Sequence, residues 1–198
     1  MEKLYSEFTS FMGEGEKYDD VPEHVSQKYK DIFMGPKDKE DIIPQIWRKY
    51  GLRIYKNGLF QLVNPDNYNE IARKYSNVSN SAIVFAKSLT GCLFLWEKYD
   101  FGWAITHLNV HSGINEVIGV NFCIFFEWDI CERDYWNEEC YGKIEFKVLK
   151  KIKKIKKIKP DECVGFVPAL IIGGDENIDN VQVFKTIEHL NMLSQLFR

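Results

Sequence analysis

Four apolar runs between Ser81 and Val120, SAIVFAKS, CLFLWEK, GWAITHLN and INEVIGV, constrain the fold of this chain more than any other feature. They are rich in β-branched and aromatic residues, which suit a pleated surface. Between them stand Thr90-Gly91, Asp100-Phe101-Gly102 and Ser112-Gly113, residue types that turn a chain sharply. Connections this short join neighbouring antiparallel strands, so the pattern predicts an antiparallel meander.

Upstream the period is helical. VPEHVSQKYKDIF opens at Pro22 and repeats Val25, Tyr29 and Ile32 at helix spacing. EDIIPQIWRKY places Ile42, Ile46 and Tyr50 on a stripe with Ile43 and Trp47, tolerates Pro44 in its first turn and stops at Gly51. LRIYKNGLFQLV is a hairpin around Asn57-Gly58, whose turn positions favour positive φ. NPDNYNEIARKY follows, with Asn64 or Asp66 as cap and Tyr68, Ile71 and Tyr75 inward.

Downstream of the meander, Phe122, Phe125, Phe126 and Ile130 return to helical spacing behind an Asn121 cap. Across KKIKKIKKIK, residues 150–159, and the turns before it, a helical projection gathers Ile144, Val148, Ile152, Ile155 and Ile158 on one side, with Lys147, Lys150, Lys153, Lys154 and Lys157 opposite. This predicts an amphipathic helix ended by Pro160, its lysines a solvated face. The stretch lacks the arginines and aromatics that line nucleic-acid grooves. CVGFVPALII then reads as a buried strand ending in Gly173-Gly174, Asp175 to Asn180 as a turn, and VQVF as a strand. A closing helix carries Ile187, Leu190, Leu193, Ser194 and Phe197 inward. The class is α+β: an antiparallel meander flanked by N-terminal and C-terminal helices.

Charge and chemistry narrow the function. Twenty-six Lys and Arg against 29 Asp and Glu give a net charge of −3, which provides no global field for phosphate backbones or anionic lipid. The longest apolar stretch, VGFVPALII, is far shorter than the ~20 residues that cross a bilayer. No partner among nucleic acids or membranes is expected. Five cysteines form no CxxC pair and their number is odd, which suits reduced thiols in a cytoplasmic protein. The acidic N-terminus does not read as a signal peptide.

His107 and His111 are four apart but fall on or just after a β-prone run, without the HExxH glutamate, and read as ordinary sheet histidines. There is no GxSxG, GxxxxGK[ST] or GxGxxG motif, and Gly173-Gly174 leads into Asp-Glu-Asn, which repels phosphate. These readings predict no catalytic residues, no metal and no cofactor.

Two stretches carry a family likeness. PEHVSQKY, IPQIWRKYG and NGLFQLVNPDNY, between Val21 and Tyr75, resemble the GAD-like domain. DECVGFVPALIIGG with VQVFKTIEHLNMLSQL resembles the C-terminal segment of type VI secretion DNase-immunity proteins, with Val164 where that family habitually has Tyr. The resemblance implies a GAD-like region over 1–118 and an immunity-like region over 119–198, packed as one unit. It also implies a small cytoplasmic, non-enzymatic α+β protein that binds and occludes a cognate toxin, a nuclease in the founding case.

A nuclease cleft is basic, so an acidic inhibitor face would steer association and occupy the same charges. The run EWDICERDYWNEE supplies Glu127, Asp129, Glu132, Asp134, Glu138 and Glu139, with Asp175, Glu176 and Asp179 as further acids. Trp128, Tyr135 and Trp136 are interleaved as candidate anchors, core packing being the other reading of them. The alternative family is the SMI1/KNR4-like binding and scaffold group, suggested by IPQIWRKYG, with a non-nuclease partner.

Overall fold

The computed structural model describes residues 2–33, 42–131, 136, 143–152 and 157–197. Seven antiparallel strands form one sheet whose spatial order follows the sequence: β1 Glu16–Asp19, β2 Leu52–Tyr55, β3 Phe60–Leu62, β4 Ile83–Ser88, β5 Leu93–Tyr99, β6 Gly102–Asn109 and β7 Ile114–Gly119. The four runs read as a meander are β4 to β7. β5 and β6 pair without interruption from Leu93 opposite Leu108 to Tyr99 opposite Gly102. A separate hairpin joins β8 Glu162–Phe166 to β9 Val181–Lys185.

The helices are α1 Glu2–Met12, α2 Glu23–Lys28, α3 Ile42–Tyr50, α4 Asn69–Ala72, α5 Phe122–Glu127, α6 Lys143–Ile152 and α7 Thr186–Ser194. They cover both faces of the sheet, and the two-residue period of the strands sorts the side chains between them. Ile83, Phe85, Phe94, Trp96 and Ile105 face a large core with Phe8, Val25, Trp47, Phe122 and Phe126. Val84, Leu93, Leu95 and Leu108 face a smaller one with Tyr68, Ile71, Leu190 and Leu193. The larger core is aromatic and meets edge to face: Phe8 lies 4.8 Å from Tyr55 and 5.3 Å from Phe126, and Phe85 lies 5.4 Å from Phe122.

Local signals act as read at several boundaries. Asn121 Oδ1 accepts from Ile124 N at 3.0 Å; Asn64 Oδ1 accepts from Asp66 N at 3.0 Å, but it caps a 3-10 turn, Pro65–Asn67, and α4 itself starts after Tyr68 without a side-chain cap. Gly51 ends α3 at φ +69, where a Cβ would stand 2.7 Å from the Asp19 carbonyl oxygen, so both the turn and the packing require glycine.

Some readings need correction. The hairpin loop is longer than Asn57-Gly58: Tyr55 pairs with Phe60, and Lys56, Asn57 and Gly58 all have positive φ. Among the described residues α6 ends at Ile152, and 157–159 are not helical; Ile155 lies outside the described residues. Ile158 is buried all the same, its N–H held by Asn57 Oδ1 at 3.1 Å. Strand β8 stops at Phe166, leaving Val167 exposed and Leu170 half-buried in a 3-10 turn. Ile187 is exposed, whereas Leu190, Leu193 and Ser194 point inward.

Contacts tie the C-terminal hairpin to the sheet. Val164 N donates to Leu89 O at 2.8 Å, the buried Lys87 ammonium to Glu162 O at 2.8 Å, and Gln61 Nε2 to Pro160 O at 2.9 Å. The lysines of the KKI stretch pair with acids from elsewhere: Lys151 with Asp179, and Lys157 with Glu16.

Candidate functional site

β7 is the last strand of the sheet, so one of its edges has no neighbour in the strand order. Its residues Ile114 and Val117 are exposed on opposite faces of the strand, and Val120 beyond it and Ile124 and Trp128 at α5 are exposed as well. Ile124 and Trp128 stand one turn apart, linked by Trp128 N donating to Ile124 O at 2.8 Å. The opposite side of α5 carries Phe122, Phe125 and Phe126 into the core. An amphipathic helix normally turns its apolar side inward and its polar side out, and α5 is apolar on both. Trp128, 62% exposed, is the largest aromatic surface on this face.

Carboxylates stand along this edge. Glu116 is exposed on β7, and Glu127 and Asp129 flank Trp128, both half-buried. A Cβ placed on Gly119 would come 3.7 Å from Asp129 Oδ2, which seats this acid at the end of β7. The local field is registered by Cys131, whose Sγ donates to Phe126 O at 2.8 Å. Burial first, and then the Glu7 charge, push its thiol up to about 12; Asp129 and Glu127 add to this and Lys56 opposes it. Glu7, on α1, is therefore a further acid near this end of α5 that sequence reading did not single out.

Of the acidic run, Glu127 and Asp129 lie on this face. Glu132, Asp134, Tyr135, Glu138 and Glu139 lie outside the described residues. Trp136 is corrected from candidate anchor to core residue: it is 1% exposed, and its indole N–H donates to Ile130 O at 2.9 Å. Asp175, Glu176 and Asp179 stand with the C-terminal hairpin, and Asp179 is paired with Lys151.

His107 is buried in β6 beside Phe94 at 5.2 Å, and burial lowers it to about 4. His111 Nε2 donates to Thr90 O at 3.0 Å, and the ring lies 6.0 Å from His189; burial holds each ring near 4. All three rings are neutral at pH 7. Among the described residues no group of three His, Cys, Asp or Glu side chains is placed to hold a metal ion. The four described cysteines are free thiols, and Cys140 lies outside the described residues. Among the described residues no helix is long and apolar enough to cross a membrane.

The GAD-like domain family matches residues 3–109, more than half of the 198-residue chain. A second family, T6SS immunity protein Tdi1, C-terminal, matches residues 125–197. No curated protein matches significantly. Among solved structures, the crystal structure of Atu4351 from Agrobacterium tumefaciens superposes with a TM-score of 0.75. It does so over 96% of this chain and 88% of that chain, at 18% identity, a likeness of fold. The meander with its N-terminal helices, followed by the β8–β9 hairpin and α7, thus falls under two families in the order in which their motifs occur. The chain belongs to the GAD-like domain family, and its residues 125–197 match the family of T6SS immunity protein Tdi1, C-terminal.

Proposed function

We propose that this protein neutralises a cognate toxin by binding it through the β7–α5 face, that the toxin is a nuclease, and that the two meet in the cytoplasm. The observation that carries the reading is the exposed apolar group at the β7–α5 junction, Val120, Ile124 and Trp128, each at least 45% exposed and bordered by Glu127 and Asp129. An exposed tryptophan among aliphatic residues is a common interface hot spot, and a polar rim keeps water from it. The free edge of β7 adds backbone donors and acceptors on which a partner strand can pair. The acids complement a cleft built to hold phosphates, and the run continues in sequence through Glu132, Asp134, Glu138 and Glu139.

Inhibition in this reading is occlusion, with no bond made or broken on the immunity protein. Co-expression with each toxin encoded beside it tests this, scored by growth and co-purification. Rescue from one toxin, lost on charge reversal at Glu127, Asp129, Glu132 and Asp134, is the expected result. Full rescue by the charge-reversed protein would remove the acidic face from the mechanism. Rescue from a toxin without nuclease activity would favour the non-nuclease partner.

A further inference from the structure

A cleft of about 510 Å³ lies between the edge of the GAD-like sheet and the start of α7. One wall is Tyr18, Asp19, Leu52 and Gln61 on β1 to β3; the other is Asp161 with Lys185, Thr186, Ile187 and Glu188. Its volume falls in the range of small-molecule sites, about 300–1,000 Å³. Both matched families contribute to it, so it exists only where they pack together.

Two oxygens at this cleft are anomalous. Gln61 is 1% exposed and Thr186 is 0% exposed, yet Gln61 Oε1 and Thr186 Oγ1 have no hydrogen-bond partner in the protein. Gln61 spends its amide nitrogen on Pro160 O, so its oxygen remains a pure acceptor. The Tyr68 hydroxyl lies near Thr186 without the geometry of a hydrogen bond. Leaving a buried polar atom unpaired costs about 1–3 kcal/mol, so two beside one cleft call for a ligand.

The charges around them select its class. Thr186 opens α7, a nine-residue helix whose N-cap, Lys185, gives no side-chain hydrogen bond to the first turn. Thr186 N already donates to Asp161 O at 2.8 Å, while the N–H groups that follow it in the first turn lack partners within the helix and attract a carboxylate. Lys185 is paired with Asp161, which leaves Asp19 and Glu188 as the unbalanced charges among the lining residues. A simple anion meets those two acids; a simple cation meets the helix N-terminus and Lys185. A ligand carrying both charges a short distance apart satisfies both walls, and Leu52, Tyr68, Pro22 and Ile187 offer apolar surface for a side chain.

We propose that this cleft binds a free α-amino acid with an apolar side chain as its zwitterion, the carboxylate on Thr186 and the α7 N-terminus, the ammonium on Gln61 and Asp19. The site is independent of the toxin-binding face and of whether the toxin reading holds.

The test titrates the full chain with leucine and with phenylalanine, by calorimetry and ligand-observed NMR. N-acetyl-leucine, which keeps only the carboxylate, and leucinamide, which keeps only the amine, serve as controls. Losing one charge-assisted hydrogen bond corresponds to about 10-fold or more in affinity. Each control should bind at least that much more weakly, as should Thr186→Val and Gln61→Met against leucine, with Thr186→Ser retaining affinity. Far-UV spectra confirm that the variants fold; if Thr186→Val does not, Gln61→Met and Thr186→Ser decide. No saturable binding of either amino acid at millimolar concentration overturns the proposal, as does equal binding of N-acetyl-leucine or leucinamide.

Discussion

Replacing Glu97 by glutamine tests how the edge strand that carries the proposed binding face is held. Glu97 is 0% exposed in β5, on the side facing the smaller core. Oε1 accepts from Ser79 N at 2.8 Å; Oε2 accepts from Thr106 Oγ1 and from Asn115 Nδ2, each at 2.6 Å. The Tyr99 hydroxyl completes the group at 3.4 Å, and burial followed by the Glu97 charge pushes it up to about 12, so it stays a donor. Asn115 lies on β7, so this carboxylate fastens the edge strand from beneath. A glutamine has one oxygen for donors arriving on two sides. Turned to its best orientation it keeps Thr106 and Asn115 and sets its NH₂ against the Ser79 N–H.

That forfeits one charge-assisted bond, about 1.5–3 kcal/mol, and weakens two others by roughly half. The expected loss is about 3 kcal/mol. With a urea m-value of about 2–3 kcal/mol/M, the unfolding midpoint should fall by about 1 M or more. Hydrogen exchange should quicken in β7 more than in β4, which does not touch the carboxylate. A midpoint within about 0.2 M of the parent, with β7 protection unchanged, would refute the claim that Glu97 organises this edge.

The two tryptophans that follow α5 in the sequence should part company. Trp136→Ala empties a core site and should cost about 3–5 kcal/mol, while Trp128→Ala, at the surface, should fall within about 0.5 kcal/mol by the same urea titration. Gly174→Ala would drive a Cβ to 2.0 Å from the Pro168 carbonyl oxygen, a backbone atom that cannot swing aside, whereas a Cβ on Gly13 meets nothing within 4 Å. The first should lose about 2–3 kcal/mol in thermal melts, well beyond the cost of the positive-φ change at Gly13. The buried neutral rings of His107, His111 and His189, each lowered to about 4 from 6.5, bind protons more readily when unfolded. Stability should therefore be complete above pH 6.5 and fall as the pH drops toward 4, by about 2 kcal/mol per ring at pH 5. His189→Leu should flatten that slope by about a third, and a slope unaltered by it would count against the assignment.

Much of the architecture is written locally. The meander is legible because its turns and its two-residue alternation lie side by side in the sequence, and α5 because Asn121 precedes three phenylalanines at helix spacing. Alternation, however, does not distinguish an edge strand from a central one. Ile114 and Val117 look like core residues until the strand order places β7 outermost. Trp136 misleads in the opposite sense: it sits among acids, but a backbone carbonyl six residues earlier receives its indole proton and lets the ring bury. α1 and β1 carry little local signal: LYSEFTSFM has only Phe8 and Met12 as fully buried anchors among the side chains described, and β1 is mostly polar. The lysine stretch keeps a helical period past the point where its helix ends, because Ile158 is drawn onto Gly58 and Asn57 by contacts about 100 residues away in sequence.

The central claim is that the β7–α5 face binds the toxin. Its most direct test is the affinity of the purified toxin for an Ile124→Asp, Trp128→Ala double variant, beside Ile172→Asp, an exposed isoleucine on the C-terminal 3-10 turn. Truncating a hot-spot aromatic and placing a charge beside it should together cost about 3–5 kcal/mol, a loss of more than about 100-fold, with folding intact and Ile172→Asp binding like the parent. A double variant that still binds and protects as the parent does, or a loss confined to Ile172→Asp, would contradict the account.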